Sequence, residues 1–368
     1  MSLAIYRKYR PLSFSDLLGQ DTIVKILREA ARQDRLAHAY LFSGPRGTGK
    51  TTTARLIAKI ANCEKRNADK KFREKGEPCN ECAACTAIDQ GRSLDVVEID
   101  AASNRGIDEI RDLKESVRLS PTESRYKVFI IDEAHMLTKD AWNALLKTLE
   151  EPPHYVIMIL ATTETEKVPA TIASRTQQFH FRRVSIMQIS DKLARIAKEE
   201  GITIGKEALD LIASSGDGSF RDAESLLDQL VSFGKKTVAL EDVEQTIGKI
   251  GFHKLSEFAG FLLEGNMEAA LKAVSEIQEG GYNIAHFTKD LIQYLRRAAV
   301  LSHSPDMKDA FKKELMEEHL NMLSAHAGIF KEKHIELLKR LIEAYGQMRY
   351  SQFPIIPIEV AIIEGVKE

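Results

Sequence analysis

A glycine-rich loop that follows an apolar run and opens a helical pattern constrains the fold more than any other feature of this sequence. Residues 44–51 read Gly-Pro-Arg-Gly-Thr-Gly-Lys-Thr and follow the apolar run Ala39–Ser43. They fit the phosphate-binding pattern G-x-x-x-x-G-K-[ST], in which glycines let backbone N–H groups face phosphates and the helix N-terminus adds a partial positive charge. The strand–loop–helix context disfavours the alternative of a glycine-rich turn before an amphipathic helix.

The motif assigns roles to side chains of this loop. We predict that Lys50 reaches the β- and γ-phosphates of a nucleotide and takes part in catalysis, and that Thr51 ligates Mg²⁺. The candidate nucleotide contacts in this segment are Gly44, Pro45, Arg46, Gly47, Thr48, Gly49, Lys50, Thr51 and Thr52.

Short apolar runs alternate with helical patterns over the first half of the chain. Four of the runs are brief, β-rich and unbroken by polar alternation, which is typical of strands buried on both faces of a parallel sheet. The alternation of strands and helices predicts a doubly wound α/β domain. These runs are Ala39–Ser43, Asp95–Ile99, Lys127–Asp132 and Val156–Ala161, and the more polar segment Gln177–Phe181 is a fifth strand candidate.

The pattern changes near residue 183, after which apolar residues follow the 3.6-residue spacing of helices. One such series is Ile186, Ile189, Leu193 and Ile196. We therefore expect an α/β region followed by an all-α region, divided into domains at residues 1–182, 183–240 and 241–368.

The composition sets limits on partners and location. The 368-residue chain has 52 Lys plus Arg and 54 Asp plus Glu, so its formal net charge of −2 excludes a grossly basic surface for nucleic acid but allows a local basic patch. Its longest strongly apolar run, Val156–Ala161, is far shorter than the roughly 20 residues that span a bilayer. No secretory signal is visible at the start of the sequence. We expect a cytoplasmic protein that does not enter a membrane.

A second apolar run ends in two acidic residues, Asp132 and Glu133. In open α/β sheets ligands bind at the carboxyl ends of the strands, so we expect this pair beside the phosphate loop. We predict that Asp132 holds Mg²⁺, directly or through water, and that Glu133 activates the attacking water as a general base. An exposed acidic pair at the end of a strand is the alternative.

All the cysteines of the chain lie close together in the sequence. They are Cys63, Cys79, Cys82 and Cys85, and the last three have the spacing C-x-x-C-x-x-C. Thiolates at this spacing can converge on one tetrahedral ion, and in a reducing cytoplasm a metal explains them better than disulfides. We predict a structural Zn²⁺ in a module at about residues 62–90, because four protein ligands leave no open position for chemistry. An iron–sulfur cluster is disfavoured because the run lacks a fourth closely spaced cysteine followed by proline, and four unligated thiols are the remaining alternative.

The letters of residues 132–135, Asp-Glu-Ala-His, also spell the DEAH box of a helicase superfamily. A helicase of that type needs a second α/β lobe with an arginine-rich Q-x-x-G-R-x-x-R element, and the sequence after residue 183 shows neither. A Ras-like GTPase is disfavoured because the guanine-binding Asn-Lys-x-Asp motif is absent. A zinc-containing scaffold that binds ATP without hydrolysing it stays open as a non-enzymatic alternative.

Together, these features and their order make the chain resemble the AAA+ clamp-loader ATPases, and among them the gamma/tau branch of the bacterial DNA polymerase III clamp loaders. The cysteine insertion right after the first helix of the core is a feature of this branch. The segments that carry the resemblance are Tyr6–Gln20, His38–Thr52, Ile131–Pro153, Leu160–Glu164, Thr171–Thr176 and Gly218–Gln229. The resemblance implies an AAA+ P-loop NTPase core with a parallel sheet and an inserted zinc module, a helical lid at 183–240 and a helical collar at 241–368.

The resemblance also implies roles for residues outside the loop. Thr163 matches the first sensor, which orients the water or the γ-phosphate near the general base, and Arg221 matches the second sensor, which links the lid to the nucleotide. Arg175 matches the arginine finger that reaches the ATP of a neighbouring subunit, although this chain has Ser-Arg-Thr where the family has Ser-Arg-Cys. The residues that match the family's adenine-binding segment are Arg10, Pro11, Leu18 and Gln20.

A loop that precedes a predicted helix offers contacts to DNA. Helix N-termini and a few basic residues suffice to grip phosphates without reading bases. Ser103, Asn104 and Arg105 lie at such a helix start and are our candidate phosphate contacts, with a loop that only caps the helix as the alternative.

The resemblance finally implies an ATPase that uses ATP, Mg²⁺ and a structural Zn²⁺ within a five-subunit assembly that includes clamp-loader subunits of the delta and delta-prime types. Such an assembly would open a sliding clamp and place it on primed DNA in the DNA polymerase III holoenzyme. Replisome proteins would bind through any longer native C-terminus, and the protein would work in the bacterial cytoplasm at the nucleoid. No carboxylate pair of a polymerase active site is identifiable in the sequence.

Overall fold

The computed structural model describes residues 3–104, 106–232, 236–312 and 315–366. The chain folds into two compact units. The first holds the described residues up to Val184 together with Gly218–Arg221, and the second holds Ser185–Asp217 and the described residues from Asp222 onward. The further division of the helical part near residue 240 stays a prediction.

A five-stranded sheet forms the centre of the first unit, with the strand order β2-β3-β4-β1-β5 and parallel pairing throughout. The predicted strands are confirmed to within one residue at each end. Their bounds are β1 Ala39–Ser43, β2 Val96–Asp100, β3 Lys127–Asp132, β4 Val156–Thr162 and β5 Gln177–His180.

Helices connect these strands. Their bounds are α1 Ile5–Lys8, α2 Asp21–Arg32, α3 Lys50–Asn62, α4 Glu64–Ala68, α5 Lys70–Arg73, α6 Ala83–Asp89, α7 Ile107–Arg118, α8 Lys139–Glu150 and α9 Ala170–Ala173. Short 3-10 turns lie at Phe14–Asp16, Ala134–Met136 and Thr165–Lys167.

The sheet is covered on both faces because successive strand residues point to opposite sides. On one face Tyr40 and Phe42 of β1 share a buried cluster with Ile57 of α3. On the other face Leu41 shares a second cluster with Leu145 of α8. The prediction of a doubly wound parallel α/β core is confirmed, and it places the carboxyl ends of β1, β3 and β4 side by side.

The expectation of strands buried on both faces is wrong for β2, and β5, at the other edge, is likewise exposed except at Phe179. The residues of β2 are half-buried or exposed, because β2 is an edge strand that pairs with β3 on one side only. Glu98 of β2 forms an ion pair with Arg55 of α3, with 2.6 Å between Arg55 Nη2 and Glu98 Oε2. The apolar residues of this run correctly predicted a strand, but they did not predict that it lies at the edge of the sheet and is partly exposed.

The second unit is almost entirely helical, as predicted. The helices from here to the C-terminal end of the described chain are α10 Ile186–Glu200, α11 Lys206–Ser215, α12 Phe220–Val231, α13 Leu240–Ile247, α14 Phe252–Glu264, α15 Met267–Glu279, α16 Ile284–His303, α17 Lys308–Phe311, α18 Glu317–Ile329, α19 Lys333–Met348 and α20 Ile355–Val366. The helix α12 begins in the first unit and continues in the second. A 3-10 turn lies at Pro305–Met307. A core of aliphatic and aromatic side chains, including Phe258, Leu291 and Leu341, joins α14, α16 and α19.

One pair of strands departs from the all-α expectation. Thr203–Ile204 (β6) and Thr237–Val238 (β7) pair in parallel. Strands of two residues carry no readable hydrophobic period, so sequence patterns do not reveal them. Across the parts of the chain that the structure describes, no helix has the length and apolar character needed to cross a membrane.

Candidate functional site

The phosphate loop closes the gap between β1 and α3 through glycines in left-handed backbone conformations. Gly44, Gly47 and Gly49 have φ angles of 135°, 69° and 103°, which side-chain-bearing residues rarely adopt. Gly49 is the N-cap of α3, so the first free N–H groups of that helix face the loop. Thr48 is buried and its Oγ1 donates to Pro45 O at 2.8 Å, which braces the loop from inside.

Lys50 lies folded against the loop. Its Nζ donates to Gly44 O and Pro45 O, each at 2.8 Å, and the residue is only 5% exposed. Burial lowers the pKa of Lys50, and the nearby carboxylates of Glu133 and Asp132 oppose that shift. The ammonium group therefore already lies in the phosphate loop, and phosphate oxygens can replace the two carbonyl oxygens that it binds here.

The two predicted Mg²⁺ ligands meet. Thr51 Oγ1 donates to Asp132 Oδ2 at 2.7 Å, joining the start of α3 to the end of β3. A hydroxyl and a carboxylate supply the hard oxygen ligands that Mg²⁺ prefers, so these residues fit the ion. Of the neighbouring loop residues, Arg46 is exposed and Thr52 is half-buried.

Glu133 follows β3 in a left-handed conformation, with φ at 47°. Its backbone N–H donates to Asp132 Oδ1 at 3.0 Å. Thr163, at the end of β4, donates from Oγ1 to Glu133 Oε2 at 3.0 Å. The structure thus brings together the candidate base and the candidate first sensor, because β3 and β4 are neighbours in the sheet.

Sequence reasoning missed the other side chains around this carboxylate. His135 Nδ1 lies 3.5 Å from Glu133 Oε2 and 3.1 Å from Thr162 Oγ1, and its Nε2 lies 3.1 Å from Glu164 Oε1. The sequence analysis noted His135 only as the last letter of the Asp-Glu-Ala-His string, two residues after the candidate base, and gave it no role. Nothing in the sequence indicated Glu164, since its contact needs the adjacency of two strands.

The segment Gly218–Arg221 folds with the first unit and lies against the phosphate loop. A Cβ added to Gly47 would lie 1.8 Å from Ser219 Oγ and 3.3 Å from Arg221 Cβ. The Arg221 guanidinium carbon lies 5.2 Å from the ring centroid of Tyr6, within cation–π range. The candidate second sensor is therefore placed next to the loop, and Ser219 and Tyr6 are neighbours that the sequence did not single out.

The predicted adenine segment is only partly free for a ligand. Arg10, Pro11 and Leu18 are half-buried. Gln20 is 4% exposed, and its side-chain amide bonds the backbone of Arg182, donating from Nε2 at 2.8 Å and accepting at Oε1 at 3.1 Å. The Gln20 amide thus supports the fold. Leu17, which the prediction omitted, lies 3.1 Å from a Cβ added to Gly49.

Arg175 lies apart from these groups. Its Nη1 donates to Thr171 O at 2.7 Å and its Nη2 lies 2.7 Å from Glu150 Oε1 of α8. The guanidinium is thus held at the surface of the first unit by its own chain.

The candidate DNA contacts form a turn after β2. Ser103 Oγ donates to Asp100 Oδ2 at 3.2 Å, and Asn104 Nδ2 donates to Asp100 O at 3.1 Å. Ser103 is exposed, Asn104 is half-buried, and Arg105 lies outside the described residues.

The four cysteines converge. Their Sγ atoms all lie within 4.8 Å of one another, with 4.0 Å between those of Cys79 and Cys85, and the thiols are free. Tetrahedral Zn–S bonds of about 2.3 Å would place sulfurs about 3.8 Å apart, so the cluster fits the ion with little movement. Backbone N–H groups of Cys82 and Cys85 donate to the sulfurs of Cys79 and Cys82, at 3.3 and 3.5 Å.

The cluster also favours thiolate at one position. A hydrogen bond from Cys85, aided by the backbone N–H groups of Arg66 and Cys79, lowers the pKa of Cys63 to about 5. The same bond raises the pKa of Cys85. Metal ligands must be deprotonated, so a preformed thiolate is compatible with a cation site.

Three family models match successive parts of the chain. The model described as DNA polymerase III, delta subunit, matches residues 19–185. The model described as DNA polymerase III clamp loader subunit, ATPase lid domain, matches residues 188–236. The model described as DNA polymerase III subunits gamma and tau domain III matches residues 238–367.

Individual relatives agree with these models. The chain is 42% identical over 361 residues to a DNA polymerase III subunit tau of Bacillus subtilis, covering 98% of this chain and 62% of that protein. It is 44% identical over 292 residues to a gamma/tau subunit of Mycoplasma pneumoniae, covering 79% and 42%. It is 40% identical over 299 residues to a subunit tau of Escherichia coli, covering 81% and 45%. The chain thus spans less than two thirds of the length of each of these relatives.

Solved structures align less closely. A Bacillus subtilis DNA clamp loader delta protein aligns at a TM-score of 0.41, with 12% identity over 94% of this chain and 99% of that one. A Thermotoga maritima RuvB Holliday junction branch migration motor aligns at 0.46, with 18% identity over 70% and 80%. Scores at this level carry no argument about function.

Proposed function

Because this chain belongs to the family of the gamma and tau subunits of bacterial DNA polymerase III, we propose that it is an ATP-hydrolysing clamp-loader subunit. It opens a sliding clamp and loads it onto primed DNA within the replicative holoenzyme. The observation that carries the ATPase activity is the carboxylate of Glu133, held by Thr163 at the sheet edge that also presents the phosphate loop.

The residues of the chain divide the reaction between them. Lys50 leaves the carbonyls of Gly44 and Pro45 and binds the β- and γ-phosphates, whose negative charge favours the exchange. Thr51 and Asp132 hold Mg²⁺, which neutralises charge on the phosphates when bound. Glu133 takes a proton from the attacking water, and Thr163 keeps its carboxylate in place.

Other residues act between the site and its neighbours. Arg221 contacts the bound nucleotide from its place against the phosphate loop. Arg175 exchanges Glu150 for the γ-phosphate on an adjacent subunit and stabilises charge in the transition state. The partners are clamp-loader subunits of the delta and delta-prime types in a pentamer, joined through the helical region at 241–368.

DNA contact in this proposal is local and electrostatic. Ser103, Asn104 and Arg105 grip phosphates on the inner face of the assembly, which suits a chain whose formal net charge is −2. The protein works in the bacterial cytoplasm at the nucleoid, and any longer native C-terminus binds other replisome proteins.

The cysteine module holds a structural Zn²⁺. Support comes from four sulfurs within 4.8 Å of one another and from a complete tetrahedral ligand set.

The alternatives are not favoured. A DEAH-type helicase needs a second α/β lobe, whereas the described residues after Val184 form helices and one two-residue strand pair. A scaffold that binds ATP without hydrolysing it has no use for a general base, and here Glu133 is held by Thr163. The gamma/tau relatives and the clamp-loader family models support neither class.

ATP turnover by wild type and Glu133→Gln, measured with partner subunits, clamp and primed DNA, tests the proposal. We expect clamp and DNA to stimulate wild-type turnover, and Glu133→Gln to lose about a hundredfold or more because the general base is gone. Binding of a fluorescent ATP analogue should persist in Glu133→Gln, which controls for folding. Turnover that ignores clamp and DNA would contradict the clamp-loader function.

A further inference from the structure

A histidine that the mechanism above leaves unused lies between the general base and the loop after β4. We propose that His135 is a positioning residue that fixes the carboxylate of Glu133 through a relay to Glu164 and Lys167. This inference rests on the proposed ATPase activity and adds residues to it.

Both ring nitrogens of His135 face acceptor oxygens. Nδ1 lies 3.5 Å from Glu133 Oε2 and 3.1 Å from Thr162 Oγ1, and Nε2 lies 3.1 Å from Glu164 Oε1. The side chain is 7% exposed, so the ring is enclosed between these partners. One ring nitrogen thus lies near each carboxylate, so the imidazole bridges Glu133 and Glu164.

The far end of the relay is anchored in its own loop. Glu164 Oε2 lies 2.8 Å from Lys167 Nζ, and the Glu164 backbone N–H donates to Thr162 Oγ1 at 3.0 Å. The hydrogen bond from Lys167 lowers the pKa of Glu164. Glu164 therefore stays a carboxylate that can orient the ring.

The near end of the relay restricts the general base. Thr163 Oγ1 and His135 Nδ1 both lie close to the same oxygen of Glu133, Oε2, at 3.0 and 3.5 Å. Neither contact involves the other oxygen, Oε1, and we assign the attacking water to that oxygen. Since the backbone of Glu133 is left-handed, the direction of its side chain depends on such contacts more than on a regular strand geometry.

The experiment compares Glu164→Gln with Glu166→Gln in the full chain. Glu166 lies in the same turn and is exposed, so its change matches the loss of charge without touching the relay. We expect Glu164→Gln to lower kcat for ATP about tenfold with KM unchanged, in the range that supporting residues of active sites show. We expect Glu166→Gln to match wild type.

Two further measurements separate positioning from a general loss of structure. His135→Ala should also lower kcat about tenfold, and His135→Ala/Glu164→Gln should lose no more than either single variant, because both act through one chain of contacts. The imidazole ¹⁵N chemical shifts of His135 should move in Glu164→Gln and in Glu133→Gln but stay in place in Glu166→Gln.

A kcat of Glu164→Gln equal to that of wild type would overturn the relay. So would a double variant whose kcat falls by the product of the two single-variant factors. Either result would leave the proposed ATPase activity intact. If wild type itself fails to turn over ATP, the proposed function fails. The ¹⁵N shifts still decide the relay in that case, and shifts that do not respond to Glu164→Gln would refute it.

Discussion

At the residue scale, the phosphate loop has no room for a side chain at position 47. The φ angle of Gly47 is +69°, and an added Cβ would lie 1.8 Å from Ser219 Oγ and 2.9 Å from Ser219 Cβ. Ser219 belongs to a segment distant in sequence that folds with the first unit. The loop therefore depends on two properties of glycine, its backbone freedom and its small size.

We expect Gly47→Ala to weaken ATP binding about tenfold or more and to lower the free energy of unfolding. A left-handed alanine alone costs about 1 kcal/mol, and the clash with Ser219 adds to it. Gly91→Ala is the matched control, because Gly91 has φ +66° with nothing within 4 Å of an added Cβ. Nucleotide titration and urea unfolding of both variants measure the difference.

The clash and the strain can be separated further. Gly47→Ala/Ser219→Gly removes the blocking side chain, so it should regain stability relative to Gly47→Ala. Equal destabilisation by Gly47→Ala and Gly91→Ala would show that Ser219 does not press on the loop.

At the element scale, the cysteine module consists of helices too short to be stable alone. The helices α4, α5 and α6 have 5, 4 and 7 residues, far below the length at which isolated helices persist in water. Ion pairs and hydrogen bonds hold the module to the core: Lys59 Nζ lies 2.7 Å from Asp89 Oδ2, the buried Arg66 lies 3.2 Å from Asp34 Oδ1, and the Glu77 carboxylate accepts from the backbone N–H of Phe14 at 2.7 Å. A metal would supply the remaining order.

We expect the purified chain to carry about one Zn²⁺, measured by elemental analysis. Removal of the ion with a chelator, or Cys82→Ser, should lower the melting temperature by about 4–8 °C, since a loss of about 2 kcal/mol has that effect on a unit of this size. A chelator should not affect the melting of Cys82→Ser further. Metal-free protein that melts like wild type would contradict a structural ion.

The elements that the sequence predicted well are those whose signal is local. The inner strands β1, β3 and β4 are recognisable in the sequence as short apolar runs, and the phosphate loop is recognisable from its glycine pattern. The exposure of β2 was missed because strand order depends on the whole sheet. His135 and Ser219 were missed because their roles arise from contacts across strands or from a distant segment, which one sequence does not display.

At the scale of the whole molecule, the groups of the candidate site all come from one unit of one chain. The Arg175 guanidinium, which belongs to the same unit, lies apart from them. Arg175 pairs with Glu150 at the surface, where the two side chains are 35% and 48% exposed. Such exposed ion pairs contribute about 0–1 kcal/mol, so a phosphate of an adjacent subunit can replace Glu150 at little cost. This weak pairing is compatible with the proposed role of Arg175 in the site of a neighbouring subunit.

This arrangement predicts complementation between two inactive variants. Glu133→Gln lacks the base but keeps Arg175, whereas Arg175→Ala keeps the base but offers no arginine to its neighbour. We expect each variant to turn over ATP about a hundredfold or more below wild type in assembled complexes. Complexes that contain both, isolated through two affinity tags, should regain part of the wild-type rate, because the intact site of one chain meets the arginine of the other. Tagged mixed complexes that stay as inactive as the parents would show that Arg175 does not act in a neighbouring site, and activity of Arg175→Ala alone would show that it is not needed.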